Sequence, residues 1–500
     1  MKSNLTVFVK DKSKVIAALK AGDIDYVDET SWSYPDKFFA FLLSIGFFKF
    51  VEDSYPSPRA RKNIPLWILI GLMFQLKLAS SSSFYKLPGI LKSGAILTRT
   101  NFNIGMVQGG FNKKNKCPRG KGEIVNHDTL RKYFKDTNAE ELTSWYNRAL
   151  SKFLSSKRVI LKEGIFLLDG SVITLPDNKN YESSQYLPLD SDKNYVDVDK
   201  MPPSERGKFK STLCYKMVNL LHISKEKDYF VFMANRIVGG KSHEKPVGEK
   251  LVDDFVESVG RGKIKTLIAD RAFLDGKMIS RFKKVYGIDM LIPLKKNMDA
   301  GLDAKGLLKL EKDHHWKKVD ESTSYYMAKK IRSYEGCSVD LNVILVRSQE
   351  KDGKVRLWSL AATKNYRDPA GAVRDYRLRW QIEERYKQIK KTWLNKGFNS
   401  TSFNLVVAHT LFTLLVYSFI QIYLNVSRLN ELATKTMETL MHEESLGESA
   451  TIMYAKGYYA ALDYEEGLYH VAFLEGEALK RFRKWISAFV TKKKKVPDDP

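Results

Sequence analysis

The sequence feature that most constrains the fold is an ordered series of short apolar segments between residues 165 and 294. Short runs rich in β-branched and aromatic residues predict strands, and longer runs without helix breakers predict helices. The series reads strand, strand, strand, helix, strand, helix, strand, and it predicts an α/β core. Its members are Ile165–Leu168, Leu213–Ile223, Tyr229–Ile237, Pro246–Val259, Ile264–Ala269, Met278–Tyr286 and Met290–Leu294.

The last helix of such a core is expected directly after these elements, but about 75 residues intervene before the next helical segment begins. They contain strand-like runs at Ser324–Ile331, Ser338–Val346 and Arg356–Ala362. We interpret residues 296–366, approximately, as an inserted and mainly β subdomain. The whole order of elements matches a ribonuclease-H-like core that is interrupted before its last helix.

Segment Asp375–Asn395 predicts that last helix, because it has strong helix formers and neither Gly nor Pro. Tyr376, Arg379, Glu383 and Lys390 fall within a stripe about 60° wide at about 100° per residue. An apolar stripe lies beside this polar row, so the row borders the core. A solvated face is the alternative interpretation. A carboxylate flanked by phosphate-binding side chains favours an enzyme that holds metal and nucleic acid together.

Three acidic residues are candidates for metal ligands. Asp169 and Asp270 are expected to end two core strands, and Glu383 lies on the last helix. Reactive groups collect at the carboxyl ends of parallel strands. Magnesium and manganese prefer such oxygen ligands. Taken singly, each acid has an ordinary explanation. Asp169 precedes Gly-Ser and could form a turn, Asp270 could pair with Arg271, and Glu383 could be a surface residue. Together, on these elements, they predict metal-dependent phosphoryl transfer.

The spacing in the last helix resembles the Tyr-Arg-Glu-Lys signature of the DDE transposases of the insertion sequence 4 family. Asp169–Ser171 is similar to the first acidic motif of that family, and Asp270–Phe273 is similar to its second. The resemblance covers roughly residues 160 to 395. It implies a ribonuclease-H-like domain with a β-rich insertion, and cut-and-paste transposition of DNA.

This resemblance implies that Asp169, Asp270 and Glu383 hold magnesium or manganese, as two ions. Water is then the first nucleophile, and the 3′ hydroxyl that it frees attacks the other strand or the target. The partners implied are double-stranded DNA, as inverted-repeat ends and target, and a second copy of the chain in a paired-end dimer. The implied DNA-binding residues are Tyr376, Arg379, Lys390, Arg271 and Trp316.

Trp316 enters this set because some relatives stack a flipped base on an aromatic residue of the insertion. Trp358 is the second candidate for that role. The alternative is that both tryptophans belong to the core of the β-rich insertion, and we favour that alternative.

Composition and charge agree with a DNA-binding protein. The chain has 83 basic and 58 acidic residues, a net charge of +25 that favours polyanionic partners. Three widely spaced cysteines predict neither a zinc site nor a disulfide framework, and the first residues do not resemble a signal peptide. We therefore expect a cytoplasmic protein, and the resemblance implies that it acts on the chromosomal or plasmid DNA of a prokaryote. Polar residues interrupt the apolar run Leu405–Leu424, which predicts a buried core helix and not a membrane span.

The sequence divides into three predicted regions. Residues 1–157 are expected to be helical and to bind DNA ends, with a basic cluster between Lys113 and Lys121 in either a solvated loop or a phosphate contact. Residues 158–400 form the predicted catalytic domain. Residues 401–500 are expected to be helical, over Leu405–Leu424, Arg428–Met441 and Glu477–Val490, and to support dimerisation. The polar stretch from 177 to 210 matches no motif.

Several other functions remain open. A nuclease or resolvase on the same fold would hydrolyse DNA without joining strands. A regulator descended from a transposase would bind DNA without cutting it, although it would have no physical reason to retain three carboxylates. A tyrosine recombinase would need more Arg and His around Tyr376. A zinc enzyme built on His314 and His315 is disfavoured because adjacent histidines seldom share one ion.

Overall fold

The computed structural model describes most of the catalytic region and parts of both flanks. Its described residues are 9–24, 26–31, 34–59, 64–78, 80, 83–84, 127–160, 164–177, 180–190, 196, 198, 201–206, 209–224, 226, 228–311, 316–349, 354–391, 398, 400–432 and 449–493. The chain forms two compact units. One comprises described parts of Met1–Asp53, Arg59–Tyr133 and Lys435–Pro500, and the other comprises Ser54–Pro58 and Phe134–Thr434.

The elements are numbered here in chain order. The first part contains β1 (Val9–Lys10), α1 (Lys12–Ala21), β2 (Tyr26–Ser31), α2 (Tyr34–Ser44), α3 (Phe47–Ser54), α4 (Leu66–Leu78), α5 (His127–Asp136), α6 (Ala139–Ser144) and α7 (Ser151–Ser156). The core region contains β3 (Gly164–Thr174), β4 (Gln185–Leu189), α8 (Pro203–Arg206), β5 (Lys210–Ile223), β6 (Phe230–Gly239), α9 (Glu244–Val259), β7 (Ile264–Ala269), α10 (Gly276–Arg281) and β8 (Asp289–Pro293).

The remaining elements follow the core strands. They are α11 (Asp299–Leu310), β9 (Lys317–Lys318), β10 (Thr323–Ile331), β11 (Leu341–Gln349), β12 (Val355–Ala362), α12 (Ala370–Arg377), α13 (Trp380–Ile389), α14 (Phe403–Val426), β13 (Ser449–Ala455), β14 (Tyr458–Asp463), α15 (Tyr464–Ala472) and α16 (Gly476–Lys493).

The larger unit is a mixed α/β structure around one sheet. Its strand order is β4-β5-β3-β7-β8-β12-β11-β10-β9, and β6 also pairs with β5. Strands β3, β7 and β8 are parallel to one another, whereas β5 is antiparallel to both β3 and β6. The predicted mixed α/β core and its strand-and-helix order are therefore confirmed, and β7 has the predicted bounds.

The first core strand is longer than predicted. β3 continues through the Asp169–Ser171 motif to Thr174, so Asp169 lies inside a strand and not at its end. Its parallel pairing with β7 nevertheless stops at Leu168 opposite Ala269. Beyond that point β3 is held by antiparallel pairing with β5 alone. The expectation that Asp169 ends a strand was wrong, but Asp169 is the first residue after the parallel ladder.

The insertion extends the core sheet. β12 pairs antiparallel with β8, and β11 and β10 follow in turn, which confirms the three predicted strands in this region. The helix α11 at its start was not predicted. The insertion therefore continues the hydrogen-bonded sheet of the core.

The segment predicted as one helix from Asp375 to Asn395 is divided. α12 ends at Arg377 and α13 begins at Trp380. Between them, the N–H groups of Leu378 and Arg379 donate to carbonyls three residues earlier, which is the tighter 3₁₀ pattern. Residues 392–397 lie outside the described residues, so the end of the predicted helix is not described. The expectation of one continuous helix over this segment was therefore wrong.

The longest apolar helix is buried in the larger unit. α14 is the one described helix long and apolar enough to cross a membrane, and its apolar window is fully buried within the protein. Ser418, one of the polar residues that interrupt the run, accepts a hydrogen bond from the β6 backbone N–H of Phe232 at 3.0 Å. The predicted core helix is confirmed.

The smaller unit contains a sheet of order β1-β14-β13-β2. Val15 and Leu19 of α1 pack with Leu462 of β14 and Phe482 of α16 in an apolar core. Helix α16 confirms the prediction for Glu477–Val490. The expectation of a wholly helical C-terminal region was wrong at β13 and β14, because these strands pair with segments from the other end of the chain.

Three further predictions fall partly or wholly outside the described residues. Of the predicted helix Arg428–Met441, the described part contains a 3₁₀ turn at Asn430–Leu432. The basic cluster between Lys113 and Lys121 lies outside the described residues. The histidines of the zinc alternative, His314 and His315, also lie outside them.

Candidate active site

Two of the three predicted acids occupy equivalent positions on neighbouring parallel strands. Leu168 on β3 pairs with Ala269 on β7, and Asp169 and Asp270 follow these residues directly. This register brings both carboxylates to one edge of the sheet, where reactive groups of open α/β sheets collect. Sequence position and strand pairing therefore place the two acids together.

The chain turns sharply after β7. The Oδ1 atom of Asp270 accepts a hydrogen bond from the N–H of Arg271 at 2.5 Å, and a 3₁₀ turn runs from Arg271 to Phe273. Phe273 is buried against α9 at Gly248, where an added Cβ would lie 2.6 Å from its ring. The aromatic residue of this motif thus fixes the turn that carries Asp270.

The third predicted acid joins the site through an arginine. The guanidinium of Arg379 lies 2.5 Å from Glu383 Oε1 and 3.9 Å from Asp169 Oδ2. Although burial alone would lower the pKa of Arg379, its neighbours Tyr376, Asp169 and Glu383 raise it. Arg379 therefore stays charged and lies between the carboxylates of β3 and α13.

Burial gives Asp169 unusual acid–base behaviour. Burial raises the pKa of Asp169 to about 8, nearby Arg379 opposes this rise, and the like charges of Asp270 and Glu244 add to it. A strongly raised carboxyl pKa at a point where acids converge is typical of functional sites. Negative charge is gathered here at an energetic cost that a bound cation would remove.

Tyr376 lies close to the same group of charges. Burial raises the pKa of Tyr376 to about 12, with Arg379 and Arg271 opposing the rise and Asp270 adding to it. Its phenol is therefore neutral at ordinary pH and can donate a hydrogen bond. Arg379 thus lies beside both Asp169 and Glu383, and Tyr376 lies near Arg379 and Asp270. These three residues of the polar row border the two aspartates, as the row predicts.

Two adjacent glutamates on α13 have different surroundings. Glu383 pairs with Arg379 beside Asp169, whereas Glu384 pairs with Lys387 at 2.7 Å. Lys387 is largely exposed, so the Glu384 pair faces solvent. The geometry distinguishes the two residues in the direction that the helical stripe predicts.

A buried hydrogen-bond network, which sequence reasoning missed, joins α13 to the strand carrying Asp169. The hydroxyl of Tyr386 donates to the carbonyl of Asp169 at 2.9 Å and accepts from Asn219 Nδ2 at 3.1 Å. Asn219 in turn accepts from Asn235 Nδ2 at 2.6 Å. Tyr386 follows Glu383 by three residues, so this network sets the height of Glu383 above β3. A tyrosine in an amphipathic helix gives no sequence signal for such a role.

A fourth carboxylate lies beside the motif of the first strand and was also missed. Glu244, the first residue of α9, lies over Gly170, where an added Cβ would be 2.5 Å from its carboxylate. Glu244 pairs with Lys216 of β5 at 3.4 Å. An acid in the first turn of a helix is ordinary capping chemistry, so its sequence position could not single it out.

The remaining predicted residues lie at varying distances from this cluster. Trp358 of β12 lies 5.7 Å from Tyr376 between ring centroids, whereas the ring of Trp316 lies under Arg347 at 5.1 Å. Arg271 is exposed next to Asp270, and Lys390 is half-buried at the end of α13. The structure therefore brings Trp358, the second candidate, closer to the signature residues than Trp316.

The donor set fits a divalent cation in its chemistry. Asp169, Asp270 and Glu383 offer carboxylate oxygens, the ligands that Mg²⁺ and Mn²⁺ prefer. No three His, Cys, Asp or Glu residues within the described part of the chain already form a metal-binding cluster. In this structure the positive charge between Asp169 and Glu383 is the guanidinium of Arg379.

Comparison with known proteins identifies a family for the part of the chain that contains these acids. A family model described as "Transposase DDE domain" matches residues 161–419, which is more than half of the chain and includes every acid described above. No curated protein matches the chain. DDE transposases generally use divalent metal ions, and their substrate is DNA. The chain therefore belongs to the transposase DDE domain family.

Proposed function

We propose that this protein is a cut-and-paste DNA transposase of the insertion sequence 4 type, with a ribonuclease-H-like catalytic core. The observation that carries the proposal is the pairing of Arg379 with both Asp169 and Glu383, with the charge of Asp270 on the neighbouring strand also acting on this arginine. The strand order β6-β5-β3-β7-β8 supports the core assignment, since the acids lie where its parallel strands end.

Asp169, Asp270 and Glu383 hold two magnesium or manganese ions in this proposal. Such ions activate a nucleophile and stabilise the leaving oxygen in phosphoryl transfer. Arg379, which pairs with Glu383 and Asp169 in this structure, would be free to bind a DNA phosphate through charge-assisted hydrogen bonds if cations took over these carboxylates. Tyr376 donates its hydroxyl hydrogen bond to the same backbone, and Lys390 contacts a neighbouring phosphate. Arg271, which follows Asp270 directly, contacts a DNA phosphate on the other side of the acids.

The reaction has two steps at one site. Water first attacks the phosphodiester at the element end and frees a 3′ hydroxyl. That hydroxyl then attacks a second phosphodiester, either on the opposite strand or in the target. Tyr386 maintains the position of α13 through both steps, because its hydroxyl is bonded to the backbone of Asp169.

Other parts of the proposal concern the flanks and the assembly. Residues 1–157 bind the inverted-repeat ends, residues 158–400 catalyse, and residues 401–500 support a homodimer that bridges two ends. Trp358 is a better candidate than Trp316 for stacking on a flipped base, because it lies beside Tyr376. The protein acts on chromosomal or plasmid DNA in the cytoplasm of a prokaryote.

The test is cleavage of a duplex that carries the sequences flanking the gene, in Mg²⁺ or Mn²⁺. Asp169→Asn and Asp270→Asn are expected to abolish cleavage, by at least about 10³-fold, while binding of the ends is retained. Cleavage that persists in either purified and folded variant would contradict the assignment. Products that show hydrolysis without joined strands would instead favour the nuclease or resolvase alternative.

A further inference from the structure

A basic groove borders the carboxylates on the side of β5, β7 and β8. It has a volume of about 620 Å³, within the range of ligand-sized clefts. Its lining combines charged side chains with a few apolar ones, and comprises Lys216, His243, Glu244, Lys245, Pro246, Arg271, Ala272, Leu274 and Lys295. The groove therefore opens at the sheet edge where the parallel strands end.

Two of the four Lys and Arg side chains that line the groove have no ionic partner among the described residues. Lys216 pairs with Glu244 at 3.4 Å, and Lys245 pairs with Asp275 at 2.6 Å. Arg271 and Lys295 form no ion pair with any residue in the part of the chain that the structure describes, and both are exposed. Two free cations beside apolar surface suit a sugar–phosphate backbone and its bases.

The groove is electrostatically connected to the candidate active site. Glu244 lines it and lies over Gly170, the residue after Asp169, while Arg271 lines it and directly follows Asp270. Arg379, by contrast, lies among the carboxylates themselves. Two separate groups of cations thus flank the same acids, one on α12–α13 and one in the groove.

We propose that this groove binds the backbone of the target DNA, while the row on α12–α13 holds the element end; this rests on the proposed transposase function. Joining requires two DNA segments at one set of carboxylates. Arg379 contacts Asp169 and Glu383 directly, so it belongs to the segment that is cut first. Lys295 contacts none of the three acids, so its charge is needed only when a second segment arrives.

The step assigned to the groove is a phosphoryl transfer. The 3′ hydroxyl of the element end attacks the phosphorus of the target, forming a new P–O bond and breaking the P–O3′ bond of the target strand. The attacking hydroxyl loses its proton, and the leaving 3′ oxygen gains one. No oxidant, reductant or further reactant is required.

Lys295→Glu tests this assignment, and Lys296→Glu is its matched control. The two lysines are adjacent and exposed, but only Lys295 lines the groove. The assays compare cleavage of uncut ends with joining of pre-cut ends to a plasmid, in Mg²⁺. Lys295→Glu is expected to lower joining at least about tenfold and to change cleavage less than about threefold, while Lys296→Glu leaves both nearly unchanged.

Every other pattern overturns the inference in a recognisable way. Equal losses of cleavage and joining in Lys295→Glu would assign the groove to the element end. Unchanged joining would mean that the groove binds no DNA at this step. Equal joining defects in Lys295→Glu and Lys296→Glu would show a general charge effect. If the unmodified protein cleaves no ends at all, the proposed function fails first, and that result is distinct from these.

Discussion

The two halves of the large sheet differ in a way that explains where the site lies. In the core half, β3, β7 and β8 run parallel, so the residues after them meet at one edge. In the inserted half, β12, β11 and β10 alternate in direction, so their ends lie at opposite edges. Asp169, Asp270 and Lys295 follow parallel pairing in the core half. These three residues lie at one edge because their strands run in the same direction, and not merely because the strands belong to one sheet.

The halves are also joined by close packing. In α10 of the core half, a Cβ added to Gly276 would fall on the backbone of the turn between β10 and β11, including Cys337 N at 2.6 Å. Backbone atoms cannot move aside as the tip of a side chain can. This approach fixes the inserted half against the core at a second place besides the β8–β12 pairing.

The largest effect on stability is therefore expected at Gly276. Gly276→Ala should lower the free energy of unfolding by about 1–3 kcal/mol, because overpacking against backbone forces a shift. Gly306→Ala on α11 is the control, since nothing lies near its added Cβ and alanine favours helix by about 1 kcal/mol. Chemical denaturation measures both. An unaffected Gly276→Ala protein would mean that the two halves are not packed together at this turn.

The second effect concerns the buried carboxyl group at the edge of the core half. A pKa of about 8 for Asp169 means that the unfolded chain releases this proton near pH 4 and the folded protein only near pH 8. Stability should thus fall as pH rises between these values. Asp169→Asn removes this penalty, so its melting temperature in EDTA should exceed that of the unmodified protein by several degrees at pH 8.

At pH 4 the two proteins should melt at nearly the same temperature, because Asp169 is protonated in the folded protein and still about half protonated in the unfolded chain, so that little of the penalty has developed. Adding Mg²⁺ at pH 8 should narrow the difference. A melting difference that is constant from pH 4 to pH 8, or that has the opposite sign, would show that the buried carboxyl group does not carry the cost assigned to it.

A smaller effect is expected when one tyrosine hydroxyl is removed, and one tyrosine in each half of the sheet allows a comparison. Tyr386→Phe leaves the carbonyl of Asp169 and the amide of Asn219 short of a partner, which should cost about 1 kcal/mol and lower cleavage by roughly tenfold. Tyr326→Phe in β10 removes a hydroxyl that donates to Glu311 at 2.8 Å, and it should leave cleavage unchanged. Equal activities for the two folded variants would remove Tyr386 from the positioning role.

Local sequence was sufficient for some elements and not for others. The bounds of β7 were predicted correctly, because a six-residue segment rich in apolar and β-branched residues lies between polar clusters. The continuation of β3 to Thr174 was not, because Asp169–Ser171 has turn composition and is held extended by distant β5. The break at Leu378 and Arg379 has no local signal either, since both residues favour helix.

The candidate site shows the same division. Asp169, Asp270, Tyr376, Arg379 and Glu383 were identifiable, because each lies in a short motif of fixed spacing. Other site features depend on tertiary contacts between distant segments, which no spacing records. They are the Tyr386 network, Glu244 over Gly170, the nearness of Trp358 to Tyr376, and the basic groove.

The most direct test of the account uses the two adjacent glutamates of α13. Glu383 lies with Arg379 and Asp169, and Glu384 faces solvent with Lys387, in a pair worth less than about 1 kcal/mol. Cleavage of end DNA by Glu383→Gln and Glu384→Gln should be measured side by side, with folding verified by circular dichroism. We expect Glu383→Gln to be inactive and Glu384→Gln to retain most activity. An active Glu383→Gln protein with an inactive Glu384→Gln protein would contradict the proposed site.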